Sequence, residues 1–155
     1  MDEELEPAGP RSIGVTMLLA DSAQVADGKL YILGGGLSII GPRPQPVAIA
    51  LRLLMPWDRA NVPHEWLIEL LDEDGQPVMA GERPIQVRGR VEAGRPAGAR
   101  PGTPLGVALA INMAALKLEG GKRYSFQLSI QGESRPEWQA SFSVRNAPAQ
   151  QPQQT

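Results

Sequence analysis

An all-β fold, built as an antiparallel β-sandwich of about eight strands, is what the sequence predicts. Three observations lead there. In the stretch from Leu118 to Arg145, Tyr124, Phe126, Leu128 and Ile130 alternate with Arg123, Ser125, Gln127 and Ser129. Trp138, Ala140, Phe142 and Val144 then alternate with Gln139, Ser141, Ser143 and Arg145. Strand side chains point to opposite faces at each step, so this is a hairpin with one apolar and one polar face, and the apolar face requires a second layer. The 17 glycines and 15 prolines among 155 residues interrupt regular structure at intervals that suit short strands and turns. Finally, no apolar period near 3.6 persists long enough to supply several helices.

Residues 1–11 are rich in acidic side chains, contain Pro7 and Pro10, and are expected to form a flexible leader. The folded domain is placed at 12–145. Ile13, Val15, Met17 and Leu19 form its first alternating run, and Lys29 to Leu33 follows the Asp27-Gly28 turn signal. These two runs read as a first hairpin, with one short helical turn over residues 21–26 between them. Gly34, Gly35 and Gly36 then predict a bulge or sharp bend before Leu37 to Ile40.

The segment Gly41 to Pro46 has three prolines without an N–H for a ladder and reads as an exposed connection. Val47 to Met55 is the next strand, Pro56 to Pro63 a loop, and His64 to Leu71 a strand with Trp66, Ile68 and Leu70 on one side. Asp74-Gly75 turns the chain back onto Val78. Ile85, Val87 and Val91 alternate with charged and polar neighbours, so another half-buried strand runs from 85 to 92. Residues 93–104 form a Gly-, Pro- and Arg-rich connection, and Leu105 to Ile111 leads to the final hairpin. The tail, 146–155, offers too little apolar surface to offset the entropy of ordering it.

Composition narrows the function classes. Cysteine is absent, so no disulfide, thiolate nucleophile or cysteine-ligated zinc is available, and a reducing cytoplasm is the expected location. The acidic start does not resemble a secretory signal, and no apolar run reaches the length of a membrane span. With 15 basic and 17 acidic residues, the net charge of −2 provides no general attraction to nucleic acid or to an anionic membrane. Neither is an expected partner.

Individual motifs point to structure before chemistry. The triple glycine lacks the Lys-Ser/Thr ending and following helix of a phosphate loop. Asp72-Glu73-Asp74-Gly75 lacks the downstream glutamate of a calcium loop and reads as a turn. His64, the single histidine, is expected to be at the surface or half buried. Arg83, Arg88, Arg90, Arg95 and Arg100 concentrate positive charge, but Glu82 and Glu92 dilute it and no aromatic residue is interleaved for base stacking. Trp66 and Trp138 fall at core positions, whereas Trp57, among loop prolines, could anchor a partner.

Two resemblances add to this reading. Leu118, Gly120 and Tyr124 match the Leu-x-x-Gly-x-x-Tyr approach to the next-to-last strand of immunoglobulin-like and fibronectin type III-like sandwiches. The resemblance covers about residues 64–145 and implies a tyrosine corner whose phenol bonds backbone near Leu118 or Glu119. Counted from the C-terminus, the strands near 47, 65, 84, 105, 123 and 138 occupy the order of the last six of such a sandwich. Residues 18–36, with Ala20-Asp21, Asp27-Gly28-Lys29-Leu30 and Gly34-Gly35-Gly36, together with Pro56-Trp57-Asp58, resemble an uncharacterised family of small bacterial proteins over about residues 13–145. That resemblance implies no activity, cofactor or catalytic residue.

The sequence therefore predicts a non-enzymatic interaction or scaffold module, with no cofactor, no metal and no catalytic residues. The alternative is a small-molecule or carbohydrate-binding domain using Trp57, Trp66 or the Gly-rich loop. A hydrolase using His64 with Asp58 or Glu65 is a third reading. The partner surface is expected on the outward faces of the first and third strands. There Gly14, Thr16, Leu18 and Ala20, and Ala48, Ala50, Arg52 and Leu54, are mostly small and apolar. Leu18, Leu54 and Trp57 are the candidate contacts for a protein partner or a homo-oligomer.

Overall fold

A computed structural model describes residues 12–148. Twelve strands follow in order: β1 Gly14–Ala20, β2 Ser22–Ala26, β3 Lys29–Leu33, β4 Ile39–Ile40, β5 Val47–Met55, β6 His64–Leu71, β7 Met79–Ala80, β8 Arg83–Pro84, β9 Gln86–Val91, β10 Leu105–Met113, β11 Arg123–Ile130 and β12 Glu133–Val144. A single 3-10 turn, Trp57–Arg59, follows β5. Two sheets make the sandwich, one ordered β1-β5-β10 and the other β4-β12-β11-β6-β9. The ribbons β2-β3 and β7-β8 stand outside them. Every pairing is antiparallel except the two-residue parallel contact of β4 with β12.

The core lies where the alternation places it. His64, Trp66, Ile68 and Leu70 from β6, Tyr124, Phe126, Leu128 and Ile130 from β11, and Trp138, Ala140, Phe142 and Val144 from β12 are buried. They meet Val47, Ile49, Leu51, Leu53 and Met55 from β5. Phe142 stacks on both Tyr124 and Phe126, with ring centroids 5.8 and 5.7 Å apart. Offset aromatic pairs of this kind stabilise beyond their buried area.

Tyr124 forms the expected corner. Its hydroxyl accepts a hydrogen bond from the backbone N–H of Glu119 at 3.1 Å, and its ring is buried. Gly120 is required beside it, because a Cβ there would meet the carbonyl oxygen of Arg145 at 2.8 Å. Tyr124→Phe is expected to reduce stability by about 0.5 to 3 kcal/mol, the span from one net hydrogen bond to a donor left unpaired. An unchanged urea midpoint would remove the corner from the forces holding β11. Between Gln127 and Ser129 the β11–β12 register shifts, so Arg135, Pro136 and Glu137 bulge from β12. The Gln127 side-chain amide fills the gap, with the carbonyl oxygens of Arg135 and Trp138 each 2.9 Å from Nε2.

The N-terminal third departs from expectation. β1 does not pair with Lys29–Leu33; all seven of its residues pair with β5. Residues 22–26, expected as a helical turn, are instead strand β2, paired with β3 in register from Ser22↔Leu33 to Ala26↔Lys29. The reason is local chemistry. Ser22, Gln24, Ala23 and Val25 themselves alternate, and Asp27 (φ 51°) and Gly28 (φ 71°) both take the left-handed conformation that a tight two-residue hairpin turn demands. The glycine run does make the expected bend, with Gly34 at φ 63° and Gly36 at φ 89°, but only Ile39–Ile40 of the next run is strand. The expected leader, 1–11, and most of the expected tail, 149–155, lie outside the described residues.

Candidate functional site

The β2-β3 hairpin folds over the outer face of the three-stranded sheet, lying on β5 and β10. Ala20, Ala48 and Ala50 are small enough to let it approach, and together with Ala23 they form a second buried cluster flanked by Leu18, Leu30 and Ala110. Asn112 on β10 pins the hairpin down. Its amide Nδ2 donates to the carbonyl oxygen of Ala23 at 2.9 Å, and its Oδ1 accepts from the Ala23 N–H at 3.3 Å. The side chain thus copies the pairing a neighbouring strand would give. Docking leaves apolar surface outside, with Leu33 70% and Tyr31 55% exposed, and Ile32 and Val25 more than a third exposed.

The candidate contacts read from the sequence are not brought together. Leu18 is half buried at the hairpin, so its face is covered by the protein's own chain. Leu54 stands between Gly14 and Gly106, whereas Leu18 stands opposite Ala50, four residues along β5 and about 13 Å away. Trp57 is half buried in the 3-10 turn, and the Arg95 guanidinium lies 4.4 Å from its ring centroid while donating to the Trp57 carbonyl at 2.8 Å. That arginine occupies the indole face a partner would need. Trp66 is buried, so it presents no aromatic platform for a carbohydrate.

Leu54 does line a groove of about 610 Å³ with Ile13, Val15, Pro56, Pro104 and Trp138. The β12 bulge opens this groove, since Arg135 and Glu137 form its rim. It was not legible in the sequence, because a bulge filled by Gln127 joins residues seven to eleven positions apart.

His64 is more deeply buried than expected, at 6% exposure, and neither ring nitrogen has a hydrogen-bond partner. It borders a cleft of about 300 Å³ that also holds Asp58, Arg59 and Glu133. No hydrogen bond joins it to Asp58 or Glu65, and the latter instead faces Arg90 at 3.5 Å. The base-and-carboxylate pairing of a hydrolase is therefore not assembled. Burial, and secondarily the Arg59 charge, hold the imidazole below its ordinary value of 6.5. The unfolded chain then binds the proton more readily, so stability is full above about pH 6.5 and declines as the pH falls below it. Relative to the wild type, His64→Leu is expected to flatten that decline in urea titrations run at several pH values. Parallel curves for the two proteins would show that His64 is not the group responsible.

Among the described residues no group of three or more acidic, histidine or cysteine side chains could hold a metal ion. None of the helical segments there is long and apolar enough to cross a membrane. Positive charge is dispersed: Arg90 meets Glu65, Arg95 lies on Trp57, and Arg83 sits in the β7-β8 ribbon. A family of unknown function (DUF6941) matches residues 15–145. No curated protein matches the chain.

Proposed function

The chain belongs to this family of unknown function, and we propose that it is a non-enzymatic interaction module that engages a protein through the surface around its β2-β3 hairpin. The observation that carries the reading is the hairpin itself, which covers an alanine-lined sheet face on one side and leaves Tyr31 and Leu33 in solvent on the other. Contiguous exposed apolar side chains on a folded domain mark binding surfaces, and tyrosine is enriched among the residues that dominate them. A reducing bacterial cytoplasm fits a chain with no cysteine. The strand order supports an immunoglobulin-like architecture. β1, β5 and β10 would stand for strands A, B and E, β6, β11 and β12 for C, F and G, and β9, paired to β6, for a C′ strand.

The test is quantitative affinity purification from native cells, comparing wild type with Tyr31→Lys/Leu33→Ser. Both positions are exposed, so folding is expected to survive, and co-purifying protein should fall at least tenfold. Equal recovery by both forms would overturn the reading. The groove beside Leu54 and Trp138 favours a second reading, binding of a small apolar ligand. A thermal shift on adding such a ligand, abolished by Leu54→Arg, would support it.

A further inference from the structure

The two sheets have four outer edges, and three are closed to a further strand. β4 is two residues long, β1 lies against β12, and β9 carries Arg88 and Arg90. Short edges, covered edges and edge charges are the usual means by which sheets avoid pairing with other chains. β10 is neither short nor charged, and the β2-β3 hairpin lies on its outer face without bonding its edge. It is nine residues, Leu-Gly-Val-Ala-Leu-Ala-Ile-Asn-Met, with no charge and no proline, and its register with β5 runs unbroken from Leu105↔Met55 to Met113↔Val47. Among the described residues its backbone bonds go to β5 alone, so the other side of the strand keeps unpaired N–H and C=O groups.

We propose that β10 pairs antiparallel with β10 of a second copy of this chain, joining two three-stranded sheets into one of six. The sequence of β10 is complementary to itself. A two-fold axis at Leu109 sets Leu109 against Leu109, Val107 against Ile111 and Leu105 against Met113 on the core side, and Ala108 against Ala110 on the outer side. No like charges meet, whereas the same operation on β9 would bring Arg88 and Arg90 together. Asn112, under the hairpin, faces Gly106 of the second copy, whose missing side chain leaves room for the overhang. Val25 shares the inner face of the hairpin with Ala23 and Leu30 but remains 39% exposed, which leaves it able to meet the second copy. Nine paired residues alone bury less than the roughly 800 Å² per partner of a stable interface, and exposed apolar side chains of the hairpin that lies on β10, Val25 among them, are available to add to it.

The inference rests on the association reading above, and the two can fail separately. Sedimentation velocity of the full chain across micromolar concentrations should show a monomer–dimer equilibrium. Ala108→Glu places the carboxylate across from Arg52, its β5 neighbour, so the monomer keeps its fold, but sets two carboxylates diagonally across the two-fold axis, within reach of each other. It should weaken dimerisation at least tenfold, and mixing it with Ala108→Lys should restore dimers. If either variant fails to fold, Ala108→Cys, the single thiol in a chain without cysteine, should be joined to its copy by a short bis-maleimide. Wild type that stays monomeric overturns self-pairing and leaves the purification result for Tyr31 and Leu33 to decide the wider reading. A dimer indifferent to Ala108→Glu, or one that the bis-maleimide does not cross-link, overturns the β10 assignment.

Discussion

Phe126→Ala is expected to remove about 3 to 5 kcal/mol of folding stability, the usual loss when a buried phenylalanine is truncated. Phe126 is 1% exposed at the middle of β11, flanked across the ladders by Ala140 on one side and Leu70 on the other. Its ring stacks on Phe142, which also carries Tyr124, so the deletion removes one member of an aromatic row that spans the β11–β12 pair. The neighbours are held by strand pairing and can collapse into the vacancy only in part. Urea denaturation should show a lower midpoint with an unchanged slope, because the same surface is exposed on unfolding. A loss under about 1 kcal/mol would mean that the sheets do not share the single core described above.

Trp66→Ala should have a similar effect, about 3 to 5 kcal/mol, and it should be coupled to Gly89. These residues are directly opposite each other on β6 and β9. The Trp66 indole lies where a Gly89 Cβ would stand, making contact through its Cζ2, Cε2 and Nε1 atoms. Gly89 is not among the glycines with positive φ, so the indole and not the backbone is the reason for glycine there. Gly89→Ala therefore overpacks the wild type by about 1 to 3 kcal/mol. In the Trp66→Ala background, where the indole is gone, the same substitution should have almost no further effect. A double-mutant cycle reads this directly, and additive losses would show that the contact is not the constraint.

What the sequence made legible follows the reach of the two-residue period. β5 and β6 fall at their expected limits, and the inward rows of β6, β11 and β12 are buried as alternation requires. Tyr124 was placed to within two residues of the backbone group it bonds, Leu118 or Glu119 being expected and Glu119 observed, because the corner depends on residues five positions apart. The pattern failed where the partner was distant. Ile13 to Leu19 alternates correctly, yet alternation does not say whether the matching strand is 10 or 30 residues away, and β5 won the pairing. The apolar outer face of β1 and β5 was expected to meet a protein partner or a second copy, whereas around Leu18 the protein's own chain covers it. That the cover is β2-β3 depends on Asn112 reaching Ala23 across 89 positions. β7 and β8 are too short to leave a periodic trace. His64 reads as polar but follows the inward row of β6, where strand geometry overrides its preference for intermediate burial.

The edge of β10 is the centre of the self-association proposal, and amide hydrogen exchange on the wild-type chain at two concentrations on either side of its dimerisation midpoint tests it most directly. Protection of peptides covering Leu105–Met113 should rise with concentration, while peptides covering Gln86–Val91 on the charged edge stay unchanged. Equal exchange in β10 at both concentrations, from samples whose measured mass confirms monomer in one and dimer in the other, would contradict it.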